Sequence, residues 1–312
     1  MKKIFFFALA AVLCLVSCNK DPLADENSNW WYRSQLGPKG VKSITDQWGG
    51  KTTFNQNGTI ASETGGGYEA TFKYSKDGLL TESTTVETYD GKTITTTYKF
   101  EYNNKGKFIP RPMNPGFIFH VFELGLVPDL SKVIIKSSDY GDCVMEYTFN
   151  GDKMTMTTTG GPYGPYDPVV VEYKGKYPYH CENDMEFFGP ITYQENGMFD
   201  TYKEGFIMDG KVSTDRTFYV KKGLNDMMLT EKMVDVSWGE TSTDTYTYNE
   251  HGDQILSESE SSYGKSKATT TYEYDSHGNW IKADWQMSSY NKITGKWEDV
   301  NKSSQTRTIE YY

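Results

Sequence analysis

Histidine and cysteine, the side chains best suited to nucleophilic, acid–base and metal chemistry near neutral pH, are scarce in this chain, and their spacing is unhelpful. There are only four histidines and four cysteines in 312 residues. His251 and His277 each directly precede the glycine of a polar segment, where a turn residue must tolerate strained backbone. A shared metal site would need both turns side by side with a carboxylate between them. His180-Cys181-Glu182 joins three ligand types, yet successive residues of a strand point to opposite faces, so the three would not converge on one ion. Acids are plentiful, and a glycosidase needs only two, roughly 5 or 6.5–9.5 Å apart. Glu69, Glu82, Glu101, Glu258 and Glu273, however, fall on the polar positions of alternating segments, which are solvated in a half-buried sheet. G-x-S-x-G, H-E-x-x-H, the P-loop and the Rossmann glycine pattern are all absent from the sequence. No catalytic residue, metal ligand or cofactor is nominated.

The cysteines divide by position. Lys2-Lys3 precede an apolar run from Ile4 to Val16, which suits a signal peptide and falls short of the roughly 20 residues a spanning helix needs. Leu15-Val16-Ser17-Cys18, followed by Asn19-Lys20-Asp21, resembles the lipobox of bacterial lipoproteins. The resemblance implies that residues 1–17 are removed and that Cys18 becomes the acylated first residue. Acyl chains contribute about 0.8 kcal/mol per buried methylene, enough in pairs to hold a protein on a bilayer. Residues 18–40, with Asp21, Asp25 and Glu26, read as a polar tether similar to the export signal of Bacteroidetes-type surface lipoproteins. That likeness implies a lipid-anchored outer-membrane protein, at the cell surface in preference to the periplasmic face. Cys143 and Cys181 remain; they either pair or sit reduced as small core residues.

Removing residues 1–17 takes away Lys2 and Lys3, leaving 30 basic against 42 acidic residues, a net charge near −12. Such a chain repels nucleic acid and anionic headgroups, so the partners expected are the membrane, through the lipid, and a glycan or envelope protein. Aromatic content of 15% with 24 tyrosines argues for folded structure.

The elements that would position any site are strands. One pattern recurs: aromatic, any residue, aromatic, then a polar turn ending in glycine. It appears as Phe72-Lys73-Tyr74 to Gly78, Phe100-Glu101-Tyr102 to Gly106, Tyr246-Thr247-Tyr248 to Gly252 and Tyr272-Glu273-Tyr274 to Gly278. Residues two apart share a face, so each aromatic pair lies on one side of a sheet. These units resemble the YD, or Rhs-type, repeats of bacterial cell-surface proteins, most closely at Tyr272-Glu273-Tyr274-Asp275-Ser276-His277-Gly278-Asn279. The resemblance implies stacked hairpins and no activity. The expected fold is all-β: a meandering antiparallel sheet, strongly curved or partly closed, because a flat sheet of so many strands is rare. We expect one domain over residues 41–312, with repeat blocks at 41–108 and 216–312 and a divergent middle at 109–215. Within that middle, Gly116–Val127 is apolar nearly all round and reads as the one short helix or else a buried strand pair.

The best ligand-binding candidate is the loop Gly160-Gly161-Pro162-Tyr163-Gly164-Pro165-Tyr166-Asp167-Pro168. Tyr163 and Tyr166 on a stiff backbone would lose little entropy on binding a sugar or protein; alternatively they fold back over a sheet end. Trp30-Trp31 would cap a sheet edge or touch a partner. The reading that follows is a non-catalytic, lipid-anchored envelope protein with a binding or scaffolding role toward a glycan or an envelope protein. The alternatives are a glycan-directed cell-surface hydrolase, which needs two converging carboxylates, and a periplasmic carrier, which needs an apolar cavity. A binder needs exposed aromatics gathered on one rim.

Overall fold

The computed structural model describes residues 38–110, 126–139, 141–161, 164, 166–182, 186–194, 199–222 and 228–312. Cys18, Trp30, Trp31 and Tyr163 lie outside them, as do residues 116–125 of the expected helix; Leu126 and Val127 stand in a strand. The described residues form strands and turns with no helix.

The first block contains β1 (Val41–Asp46), β2 (Lys51–Phe54), β3 (Ile60–Gly65), β4 (Tyr68–Tyr74), β5 (Leu80–Tyr89) and β6 (Lys92–Tyr102). The middle adds β7 (Phe108–Pro110), β8 (Leu126–Pro128), β9 (Leu130–Ser137), β10 (Cys143–Asn150), β11 (Lys153–Gly160), β12 (Val169–Lys174), β13 (Tyr177–Glu182), β14 (Glu186–Phe188) and β15 (Thr192–Tyr193). It ends with β16 (Phe199–Met208) and β17 (Lys211–Lys222), after which come β18 (Met228–Ser237), β19 (Glu240–Tyr248), β20 (Gln254–Ser261), β21 (Gly264–Tyr274), β22 (Trp280–Asn291) and β23 (Lys296–Tyr311).

Nearly every strand pairs antiparallel with the next. β9 takes over from β6, β16 pairs with both β14 and β15, and β23 returns to β1. The sheet therefore closes on itself as a ring of twenty strands, with β15 sharing an edge and β7–β8 a separate ladder. Closure removes both edges that an open sheet would expose. The seam is made by the chain ends: Ile44 lies opposite Ile309 and Thr45 opposite Thr308.

The alternation read from the sequence divides the wall into two faces. Tyr98, Phe100, Met145, Tyr147, Met156, Tyr173, Phe188 and Tyr202 point inward, joined by Ile109 and Leu126 from the β7–β8 ladder, in one core filling the β6–β17 half. Twenty strands enclose more space than side chains alone fill, and that inserted ladder helps to occupy it. Along β19–β23 the inward positions mix Tyr246, Tyr272, Trp285 and Met287 with small polar groups such as Ser257, Ser259 and Thr270, while Asn301, Ser303 and Gln305 stay exposed. Outward positions are mostly charged or hydroxylated, with Val144, Val170, Tyr219 and Val236 scattered among them. Lys73, Glu82 and Lys99 form a triad, Lys132 pairs with Glu146, and Lys282 lies 2.9 Å from both Glu273 and Asp284. A lipid-facing barrel needs the reverse, an apolar outward band. This wall faces water.

Gly205 of β16 shows how closely the wall is packed. A Cβ there would lie 2.0 Å from the Thr214 carbonyl oxygen and 2.6 Å from the Phe187 ring. We expect Gly205→Ala to lower the melting temperature by several degrees, read by circular dichroism, because backbone cannot yield as a flexible side chain can.

Candidate functional site

Successive turns of an up-and-down barrel alternate between its two ends, and in this chain the alternation sorts the turns by type. One end, the motif end, collects the repeat turns 55–59, 75–79, 249–253 and 275–279. Each is closed by the same bond from the first residue's N–H to the fifth residue's carbonyl, 2.8–2.9 Å long. A register shift just before the last aromatic ahead of the turn (Phe54, Tyr74, Tyr248 or Tyr274) accompanies each. Beyond its bulge, Tyr274 reaches the neighbouring turn. Tyr274 stacks on His251 with centroids 4.1 Å apart, and its hydroxyl lies 2.6 Å from Asn249 Nδ2 and 2.7 Å from Asp253 Oδ2. Tyr311 repeats this on His277, at 4.0 Å, between Asn279 and Asp275. His251 and His277 are thus platforms that lock one repeat to the next. Among the described residues no three His, Cys, Asp or Glu side chains come together as a metal site.

The other end, the tip end, carries the short hairpins. Most of the exposed large apolar side chains gather there: Trp48 (71% exposed) between β1 and β2, Tyr89 between β5 and β6, Met208 and Val212 around the β16–β17 turn, Trp238 (74%) between β18 and β19, Tyr263 (82%) between β20 and β21, and Ile293 (97%) between β22 and β23. Five of these hairpins are consecutive around the ring, from β16–β17 through β22–β23 to β1–β2. Each is two strand spacings from the next, about 10 Å. Side chains tie them laterally: Ser262 Oγ donates to Glu240, Lys292 Nζ to the Ser262 carbonyl at 3.3 Å, and Gln47 Nε2 to the Ser304 carbonyl at 3.2 Å. The rim is a built surface.

Tyr166 belongs to this end but does not project. Its ring lies 3.6–3.7 Å from where side chains at Gly161 and Gly164 would begin, and its hydroxyl is buried without a hydrogen-bond partner among the described residues. Cys143 and Cys181 are both buried thiols. They sit on β10 and β13, three strand spacings apart laterally (about 14 Å) and six residues apart in register, beyond disulfide reach. Burial pushes Cys181 up to about 12, with Glu186 and Glu182 adding to the shift. His180 and Glu182 share the outer face at 3.7 Å while Cys181 points inward. Glu82 and Glu273 stand in ion pairs on the outer wall, and Glu69, Glu101 and Glu258 are exposed.

Sequence reasoning missed one inward group. Arg216 Nε lies 2.6 Å from Asp235 Oδ2, Glu204 stands opposite Arg216, and Tyr202 Oη donates to Glu204 at 3.0 Å. Glu186, beside them on β14, is pushed up to about 7 by burial and by the Glu204 charge. The signal was legible: Tyr202 and Glu204, like Arg216 and Phe218, are two apart and share a face.

No family model matches this chain, and no curated protein matches it. Three of the solved structures that align with this chain are the following. A porin-like protein from Bacteroides uniformis aligns with 87% of this chain and 98% of its own at 11% identity, with a TM-score of 0.36. A porin-like protein from Bacteroides vulgatus covers the same shares at 9% identity and a TM-score of 0.23. The Photorhabdus luminescens Tc holotoxin pore aligns with 83% of this chain at 13% identity and a TM-score of 0.29; the chain spans only 16% of that much longer one.

Proposed function

We propose that this protein is a non-catalytic, lipid-anchored envelope protein, held at the outer membrane through Cys18 and favouring the cell surface, that binds or scaffolds a glycan or an envelope protein. One observation carries the reading: exposed aromatic and apolar side chains gather on the hairpin tips of one end of a closed barrel whose outer wall is polar. A contact surface of aromatic residues standing out of a charged surface is what recognition requires. The half of the rim bearing Tyr89 also carries Asp90, Asp139, Asp142 and Asp167, acceptors suited to the hydroxyls of a sugar or to a basic protein patch, and Tyr163 and Tyr166 are the further tyrosines proposed as ligand contacts.

Two measurements test it. Mass spectrometry of the mature protein is expected to find an acylated Cys18; an unmodified N-terminus would remove the anchor. A photo-crosslinking residue at position 89, in cells, is expected to form a discrete adduct that the same residue at position 77, on the motif end, does not. Equal labelling at both positions would sink the rim as the contact surface.

A further inference from the structure

Two tip-end hairpins turn on Asp-Gly, with φ of 49° at Asp90 and 51° at Asp209. Such two-residue turns need positive φ at both central positions, which Asn, Asp and Gly accept and bulky residues resist. The β18–β19 hairpin places Trp238 at that position, with φ of 54°. The indole is 74% exposed, so packing among the described residues does little to offset the strain. A strained residue kept at an exposed tip points to a contact outside the chain.

Its neighbours say what kind of contact. Met208, Trp238, Tyr263, Ile293 and Trp48 stand on consecutive hairpins about 10 Å apart, each more than half exposed. Sugars stack on aromatic faces and have no use for Ile293 or Met208. Protein hot spots cluster in a packed centre, and a rigid partner would reach only some of these scattered tips. A fluid surface conforms to all of them. Trp and Tyr are the residues enriched at membrane–water interfaces, and lysines beside them keep their charge in water while their stems lie along apolar surface. This arc has Lys51, Lys211, Lys265, Lys267, Lys292 and Lys296, matched on the same hairpins by acids such as Asp209, Glu240 and Glu298. In a chain with net charge −10, that local neutrality lifts the repulsion that anionic stretches would meet at headgroups.

We infer that the arc of tips from Met208 to Trp48 docks in the headgroup layer of a zwitterionic bilayer, with Trp238 and Ile293 entering deepest. The Tyr89 side of the rim is left free for the partner. This rests on the reading of the tip end as a contact surface and not on the lipid at Cys18, although the two are compatible. Residues 19–37 separate Cys18 from Pro38, where the described chain begins at the motif end; extended, they reach roughly 65 Å, more than the roughly 40 Å length of twelve-residue β22.

The test uses the full mature chain on vesicles of phosphatidylcholine and phosphatidylethanolamine. An environment-sensitive dye is placed at position 293 through Ile293→Cys, or at the exposed motif-end turn through Asp77→Cys. Dye at 293 is expected to shift to the blue and to be quenched several-fold more by spin-labelled lipid than dye at 77. Adding Trp238→Asn should reduce that quenching while raising the melting temperature, because Asn is favoured at positive φ, so the loss cannot be ascribed to unfolding. If the protein sediments with vesicles and both dyes stay water-like, docking is wrong and the anchor stands. A chain that fails to sediment at all overturns both.

Discussion

Replacing Tyr311 with alanine will loosen the seam that closes the barrel. Tyr311 stacks on His277, accepts from Asn279 Nδ2 at 2.8 Å, donates to Asp275, and packs with Val41, Ile44 and Phe54 where β23 meets β1. Removing a packed aromatic costs about 3–5 kcal/mol when fully buried. For this half-buried ring we expect about 2–4 kcal/mol, which lowers the melting temperature by roughly 4–16 °C in a domain of this size. Tyr311→Phe separates the two contributions. It retains the stack and strips the hydroxyl from buried Asn279 and from Asp275, for about 1–3 kcal/mol. Burial raises the Asp275 carboxyl, but hydrogen bonds from Tyr311 and the Asn279 and His277 amides outweigh it and leave the group below its ordinary range. Thermal melts of both variants check the order Ala below Phe below wild type; unchanged melts would show that the seam is held elsewhere.

The second large effect is in the pH dependence of stability, and its sign is unusual. Burial, reinforced by the Glu204 charge, pushes Glu186 from 4.5 to about 7. In the unfolded chain the group returns to its ordinary value, so between these limits the folded state binds more protons than the unfolded one. Its contribution is therefore most favourable below pH 4.5, and it erodes as pH rises through about 7. The shift corresponds to a loss of up to about 3 kcal/mol over that window. Glu186→Gln, neutral at every pH, should flatten the curve. Urea midpoints at pH 5 and pH 8 read the difference directly; a wild-type midpoint that rises over that interval, with no change in the variant, would exclude the effect. Glu82, Asp284, Asp299 and Glu310 run the other way, held below their ordinary values chiefly by hydrogen bonds from lysine or serine partners. Their contribution is lost as pH falls, but they are solvent-exposed and screened, so the buried carboxylate dominates.

Much of the architecture is local and was legible. The alternation at 68–74, 94–102 and 143–149 marks strands and assigns the buried face, because side-chain period follows from backbone pleat and needs no distant partner. The repeat turns at 249–253 and 275–279 are equally local, since the first residue's own side chain accepts from the amides two and four positions on. The candidate site was not legible in the same way. The loop around Tyr163 and Tyr166 stands out in composition, yet Tyr166 lies back against Gly161, and the projecting side chains belong to ordinary-looking turns such as Ser237-Trp238-Gly239 and Ser262-Tyr263-Gly264.

From residue order alone came the strands, their inward and outward faces, the absence of recognisable catalytic motifs and the expectation of a curved sheet. Tertiary structure alone decided that the sheet closes, because the pairing of Val41–Asp46 with Arg307–Tyr311 joins segments from opposite ends of the chain and leaves no periodic trace in either. Closure then sorts alternate turns onto opposite ends, which turns scattered exposed residues into one apolar arc. It also confines Glu186, Glu204, Arg216 and Asp235 to a common interior. Proximity across a barrel is set by strand count and register, and no local pattern encodes it.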